Sequence, residues 1–103
     1  GSERDTRLIF RSMGNTARVF ANAVANEVIA TERRPGGCAF EDVRALVSGA
    51  RGKAALESGE VDAGPVWAGQ VIGLIDDVPT CAALLERMVA ECRQQLARAA
   101  AFF

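Results

Sequence analysis

The sequence predicts an all-α fold carrying at most one short N-terminal strand. Two apolar stretches, around Phe20–Val28 and Cys81–Phe103, repeat at three- and four-residue spacing, the period of a helix. Ala is abundant while Tyr and His are absent, and half of the 103 residues are hydrophobic. That composition suits a helical globular piece of one domain rather than a disordered segment. Glycine and proline breakers fall between the periodic stretches and punctuate them.

The elements follow in order. Thr6–Arg11 reads as a short strand or an extended arm, with too little alternation to choose between them. A helix is expected from about Asn15 to Ala30, capped by Asn15 or Thr16, with Phe20, Val24 and Val28 as its apolar stripe and Ala17 and Ala21 beside it. Asn15, Arg18, Asn22 and Asn26 share another face, which is either solvated or meets a polar partner; asparagines are weak helix formers, and we favour solvent. Thr31–Gly37 is a break, set by Pro35 and the Gly36-Gly37 pair. Phe40, Val43, Leu46 and Val47 then give a short helix with Glu41 and Asp42 in its first turn, closed by Gly49. Another short helix runs from Ala50 to Ser58 and stops at Gly59, and a further one from Val66 to Ile75. Asp76–Thr80 is a turn whose Thr80 caps the last helix, Cys81 to about Ala100. Cys81, Leu85, Met88, Cys92, Leu96, Ala99 and Phe103 form a narrow stripe on it, widened by Leu84 and Val89, of the kind that makes a core or a helix–helix interface.

Charge and chemistry exclude several functions. The net charge of −1, from 12 basic and 13 acidic residues, points to neither nucleic acid nor an anionic membrane. The longest uncharged run, Ala63–Ile75, is too short to span a bilayer and is broken by Gly64, Pro65, Gly69 and Gly73. No signal-peptide pattern follows the polar opening at Arg4, Asp5 and Arg7. Cys38, Cys81 and Cys92 form no CxxC pair, and without His no zinc site is expected. An odd cysteine count fits a reducing cytoplasm, with Cys81 and Cys92 expected on one buried stripe. No base stands ready for a nucleophilic triad, and no two of Glu57, Glu60, Asp62, Asp76 and Asp77 stand out as an acid/base pair. Gly49, Gly52 and Gly59 follow no strand, so no dinucleotide fingerprint is present. Arg51-Gly52-Lys53 is either an anion contact or, as we favour, a solvated helix start. No catalytic residue is assigned.

The segment Gly59–Gln70, GEVDAGPVWAGQ, stands apart from helical filler. It sets Gly59, Gly64 and Pro65 among acidic residues, then Trp67, then the small Ala68-Gly69-Gln70 step. Such a step either holds backbone N–H groups close to an anionic or planar ligand, or is an elbow between helices.

Taken together, residues 6–28 (TRLIFRSMGNTARVFANAVANEV), 40–81 (FEDVRALVSGARGKAALESGEVDAGPVWAGQVIGLIDDVPTC) and 86–91 (ERMVAE) resemble the C-terminal part of nitronate monooxygenases, formerly 2-nitropropane dioxygenases. The most specific pieces are Arg11 with Asn15–Val19, Gly59 with Asp62 and Gly64, Ala68-Gly69-Gln70, and Gly73-Leu74-Ile75. Flavin-dependent enoyl-acyl-carrier-protein reductases share the AGQ step. The resemblance implies a (β/α)8 barrel with FMN at the C-terminal ends of its strands and a helical part beside the pocket. It implies oxidation of alkyl nitronates by O2, with a His abstracting the proton in many members.

This chain has no His, and it lacks the barrel strands and the glycine-rich loops that hold the FMN phosphate. Gly1-Ser2 reads as a protease-cleavage scar, and residues 3–103 as the C-terminal helical portion of a longer enzyme, catalytically incomplete alone. Of the family's functional positions, Ala68, Gly69 and Gln70 carry over as cofactor-binding groups and Trp67 as part of the substrate pocket. Pro65 stands where some relatives have Ser, which removes a hydrogen-bond donor to the flavin. The expected partners are the rest of the parent barrel and a second copy paired through the Cys81–Phe103 helix. No flavin is expected on this chain alone. The rivals are a fragment of an FMN-dependent enoyl-acyl-carrier-protein reductase and a non-catalytic helical dimerisation module.

Overall fold

Thr6–Ile9 (β1) and Ala17–Phe20 (β2) form an antiparallel pair in a computed structural model that describes residues 1–103, with Leu8 opposite Arg18 and Ile9 opposite Ala17. The rest is mostly helical: Ala23–Glu32 (α1), Phe40–Val43 (α2), Gly49–Ser58 (α3) and Cys81–Ala100 (α4), with short 3-10 turns at Glu3–Asp5, Arg11–Met13 and Gln70–Leu74. The mainly helical class stands, and no helix is long and apolar enough to cross a membrane.

The first expected helix lacks its N-terminal half. Ala17–Phe20 is strand, and α1 begins at Ala23, capped by the side chain of Asn22 rather than by Asn15 or Thr16. Cross-strand hydrogen bonds to Thr6–Ile9 decide this, a non-local pairing that local helix periodicity does not register. Val24 and Val28 remain buried on α1, as the stripe predicted, joined by Ala25 and by Val19 from the strand, while Phe20 belongs to β2. The expected solvated face holds only in part, with Asn15 and Asn26 exposed and the other two not. Asn22 is 5% exposed and Arg18 leans on Thr6 and Glu3.

Gly36 and Gly37, both at positive φ, turn the chain after α1. α2 covers one turn only, its Ala39 N–H held by the Asp42 carboxylate at 2.8 Å. Gly49 opens α3 instead of closing α2, because Ser48 beside it caps the following helix through the Arg51 N–H. α3 ends at Gly59 in the left-handed region, as expected for a glycine stop. Thr80 caps α4 through the Ala83 N–H, also as expected.

Ile9, Phe10, Val19, Ala25, Val28 and Val43 form the core, edged by Met13, Ala17, Ile29, Cys38, Leu46 and Val47. Only 12 of 103 residues are buried, and large hydrophobic side chains such as Leu56, Leu74, Val78 and Phe103 stand exposed. The largest uncovered element is α4. None of its residues is buried, and Cys81 and Cys92 are exposed rather than on a buried stripe. The molecule is correspondingly long, 56 × 35 × 21 Å.

Candidate functional site

Two main-chain hydrogen bonds anchor the stretch around Trp67. The Phe20 N–H donates to the Val66 carbonyl at 2.8 Å, and the Ala68 N–H donates to the Arg18 carbonyl at 3.0 Å. Trp67 thereby pairs antiparallel with Val19 and continues the hairpin as a third extended edge. The helix expected from Val66 therefore does not form. Its first residues are held by the sheet, and only Gln70–Leu74 coil, as a 3-10 turn that lies against Glu3–Asp5.

The loop before Trp67 is fixed from both sides. Asn22 donates through Nδ2 to the carbonyls of Val61 at 2.6 Å and Gly64 at 2.9 Å, while its Oδ1 accepts from the Ala25 N–H. Asp62 Oδ1 accepts from the Ala23 N–H at 2.7 Å, placing a negative charge in the first turn of α1, where it is favoured. Gly64 lies directly on α3, so close that an added Cβ would fall 2.3 Å from the Arg51 carbonyl oxygen. Arg51 in turn donates from Nε to the Ala63 carbonyl, and Lys53 pairs with Glu57 along the helix. The Arg51-Gly52-Lys53 step is thus inside α3 and occupied with its own protein.

This packing opens a cleft of about 470 Å3 between α3 and residues 65–67, lined by Val47, Gly49, Gly52, Leu56, Pro65 and Trp67 among others. Trp67 is 56% exposed there, and its ring is backed by Phe10 at 6.4 Å, which meets Phe40 edge-on at 6.1 Å. The arrangement offers an aromatic plane and glycine backbone over a mainly apolar floor. It suits a planar or apolar ligand and holds no acid/base pair.

Trp67 lines this cleft, whereas Ala68, Gly69 and Gln70 follow it along the chain outside the lining. The Ala68 N–H is bound to Arg18 and is not free for a ligand. Gly69 has φ −102°, a conformation open to any residue, and a Cβ there would meet only Val71 at 3.9 Å. Gln70 is exposed at the head of the 3-10 turn. Phe10, Phe40 and Gly52 were not foreseen as parts of the site. Their contribution depends on contacts between residues far apart in sequence, Phe10 with Phe40 and Trp67 and Gly52 with Pro65, which no local pattern encodes.

No family model matches this chain. Over 44 residues, 43% of this chain, it is 43% identical to a curated protein of Rhodococcus jostii (strain RHA1), the (3aS,4S,5R,7aS)-5-hydroxy-7a-methyl-1-oxo-octahydro-1H-indene-4-carboxyl-CoA dehydrogenase. The match covers 12% of that relative's length.

Proposed function

We propose that this chain is the C-terminal helical portion of an FMN-dependent oxidoreductase of the nitronate monooxygenase type, with Trp67–Gln70 forming one flank of the flavin and substrate pocket. The observation that carries the reading is Gly69. Neither its backbone conformation nor its neighbours in this chain require a glycine. A glycine kept free of side chain on an exposed edge, next to an exposed Trp plane, leaves room for a flat ring or for the barrel to approach. The residues present fit one edge of a flavin and supply nothing for its phosphate. FMN, when bound, supplies the electron acceptor; this chain's part is to bound the pocket and exclude water from one side. That the partial relative is named a dehydrogenase agrees with a redox parent. Its name also keeps a thioester substrate, as in the reductase reading, beside the nitronate one.

The test is flavin retention in the full-length protein. Gly69→Val should lower the FMN content of the purified enzyme without lowering its yield, and full flavin content would reduce the AGQ step to a connector. This chain alone should purify without stoichiometric FMN and take up no oxygen with alkyl nitronates.

A second reading rests on α4, which exposes Leu85, Met88 and Leu96 on one stripe. In the parent that stripe packs on the barrel, and in this chain it pairs two copies about a two-fold axis. A cytoplasmic location accords with three unpaired cysteines, two of them exposed.

A further inference from the structure

The arginines of this chain are not evenly spread. Arg7, Arg11, Arg18 and Arg33 line a single cleft of about 390 Å3 on the hairpin, together with Thr6, Ser12 and Glu32. Four arginines and a single acidic residue, Glu32, thus line it, in a chain whose net charge is −1. That carboxylate is already engaged: Glu32 accepts from the Phe10 N–H, the Ser12 N–H and the Ser12 hydroxyl. The other ion pairs of the chain lie elsewhere, and no acidic side chain comes within 4 Å of the guanidinium groups of Arg7, Arg11 or Arg33. Arg18 is the exception, 3.3 Å from Glu3, whose side chain is 59% exposed.

Arg18 is also the group that makes the cleft a built feature. Its side chain is 17% exposed, and Nη1 donates to the hydroxyl of the buried Thr6 at 2.6 Å. Arg7 is oriented by the carbonyls of Thr6 and Arg4. Like charges gathered this way repel one another, and a multivalent anion relieves that repulsion. Guanidinium forks match phosphate oxygens geometrically, and the volume lies at the small end of ligand pockets. We propose that this cleft is a binding site for the diphosphate group of a small molecule, with Arg11 and Arg33 as its mobile ligands and Arg18 as its fixed one. The proposal is independent of the flavin flank, because the cleft shares no lining residue with the Trp67 cleft.

Titration calorimetry on this chain decides it, with inorganic pyrophosphate, ADP and coenzyme A as separate probes at low salt. Saturable binding of pyrophosphate is expected, weakened about tenfold for each guanidinium lost in Arg11→Gln and Arg33→Gln. Arg93→Gln on α4 removes an equal charge outside the cleft and should leave binding unchanged. ADP or coenzyme A binding more tightly than pyrophosphate would identify a nucleotide as the source of the diphosphate, and equal affinity would identify the free anion. The proposal is overturned by three results: no saturable binding of any probe, equal losses in all three variants, or variant-sensitive binding of a short DNA duplex without any of pyrophosphate. Circular dichroism on each variant confirms that the fold persists, since Arg11 and Arg33 are exposed.

Discussion

The main-chain N–H of Phe10 donates to Glu32 Oε2 at 3.0 Å, while Phe10 itself sits at φ 62°, the only residue other than glycine at positive φ. The last residue of α1 thereby clamps the hairpin turn. A second oxygen of the same carboxylate takes both polar groups of Ser12. A bulky side chain pays about 1–2 kcal/mol to enter the left-handed region, and here the turn leads its ring into the core against Phe40 and Trp67.

Two substitutions separate these effects. Glu32→Ala should lower stability by about 1–3 kcal/mol, as donors at the turn lose a charged acceptor. At position 10 the usual order of small residues should invert. Phe10→Gly loses the ring but sheds the strain, so it should be more stable than Phe10→Ala by about 1 kcal/mol. Denaturant melts of the pair measure this directly, and Ala more stable than Gly would mean that φ at position 10 carries no strain.

Asn22 gives a prediction with a pH signature. It is 5% exposed and directs its amide at two carbonyl oxygens while its own oxygen caps α1. Asn22→Asp keeps the cap but turns a carboxylate oxygen toward the carbonyls of Val61 and Gly64. Burial against acceptors raises the folded pKa of the new carboxyl above its unfolded value of about 3.9. The variant should therefore approach wild-type stability near pH 4 and lose stability as pH rises toward 7, by about 2–4 kcal/mol. Thermal melts across that range would expose a flat profile if the site were open to water.

The same residue shows what was legible in the sequence and what was not. The Ser48 cap of α3 was passed over for Gly49, whereas local stop and start signals were readable where a single residue carries them, as Gly59 does at the end of α3 and Thr80 at the start of α4. Residues 17–20 and 66–68 were not, because their conformation comes from pairing with each other and with β1 across long sequence separations. Asn22 looked like a poor helix residue on a wet face, and it is a buried cap, a distinction set by loop 61–64 folding back on it. Of the candidate residues, Trp67 lines a cleft and Ala68, Gly69 and Gln70 lie outside its lining. The aromatic backing of Trp67 from Phe10 was hidden by an unusual φ that nothing in the local sequence announces.

At the other end of the molecule, Arg87 binds Asp77 through both oxygens, at 2.8 and 3.2 Å. The Arg87 hydrogen bonds hold the Asp77 carboxyl below its ordinary 3.8, and the pair raises Arg87 in return. A carboxyl depressed in the folded state stabilises it above the unfolded pKa, and that contribution is lost as pH falls through the folded one. The tether between the Asp76–Thr80 turn and α4 should thus hold through pH 4 and release in more acidic solution. Carboxyl 13C titration should place the Asp77 midpoint below 3.8, with Arg87→Ala returning it to the ordinary value. Both groups are exposed, so global stability should barely follow.

Self-association tests the face of α4. Leu85, Met88, Val89 and Leu96 are each more than half exposed, and Phe102 and Phe103 beyond them are almost wholly so. Side chains on this stripe recur at the three- and four-residue steps that interlock two helices. An apolar strip of several hundred Å2, ~20 residues long, exceeds what monomers usually leave in water. The chain should run as a dimer in light scattering at about 100 μM and dissociate on dilution, as mass action requires. The experiment belongs in reducing buffer, because Cys81 and Cys92 are exposed on the same helix and would link copies covalently on oxidation. Met88→Glu with Leu96→Glu should give a monomer of unchanged helix content, since neither residue supports the core. A wild-type monomer at that concentration would overturn the pairing of two copies through α4.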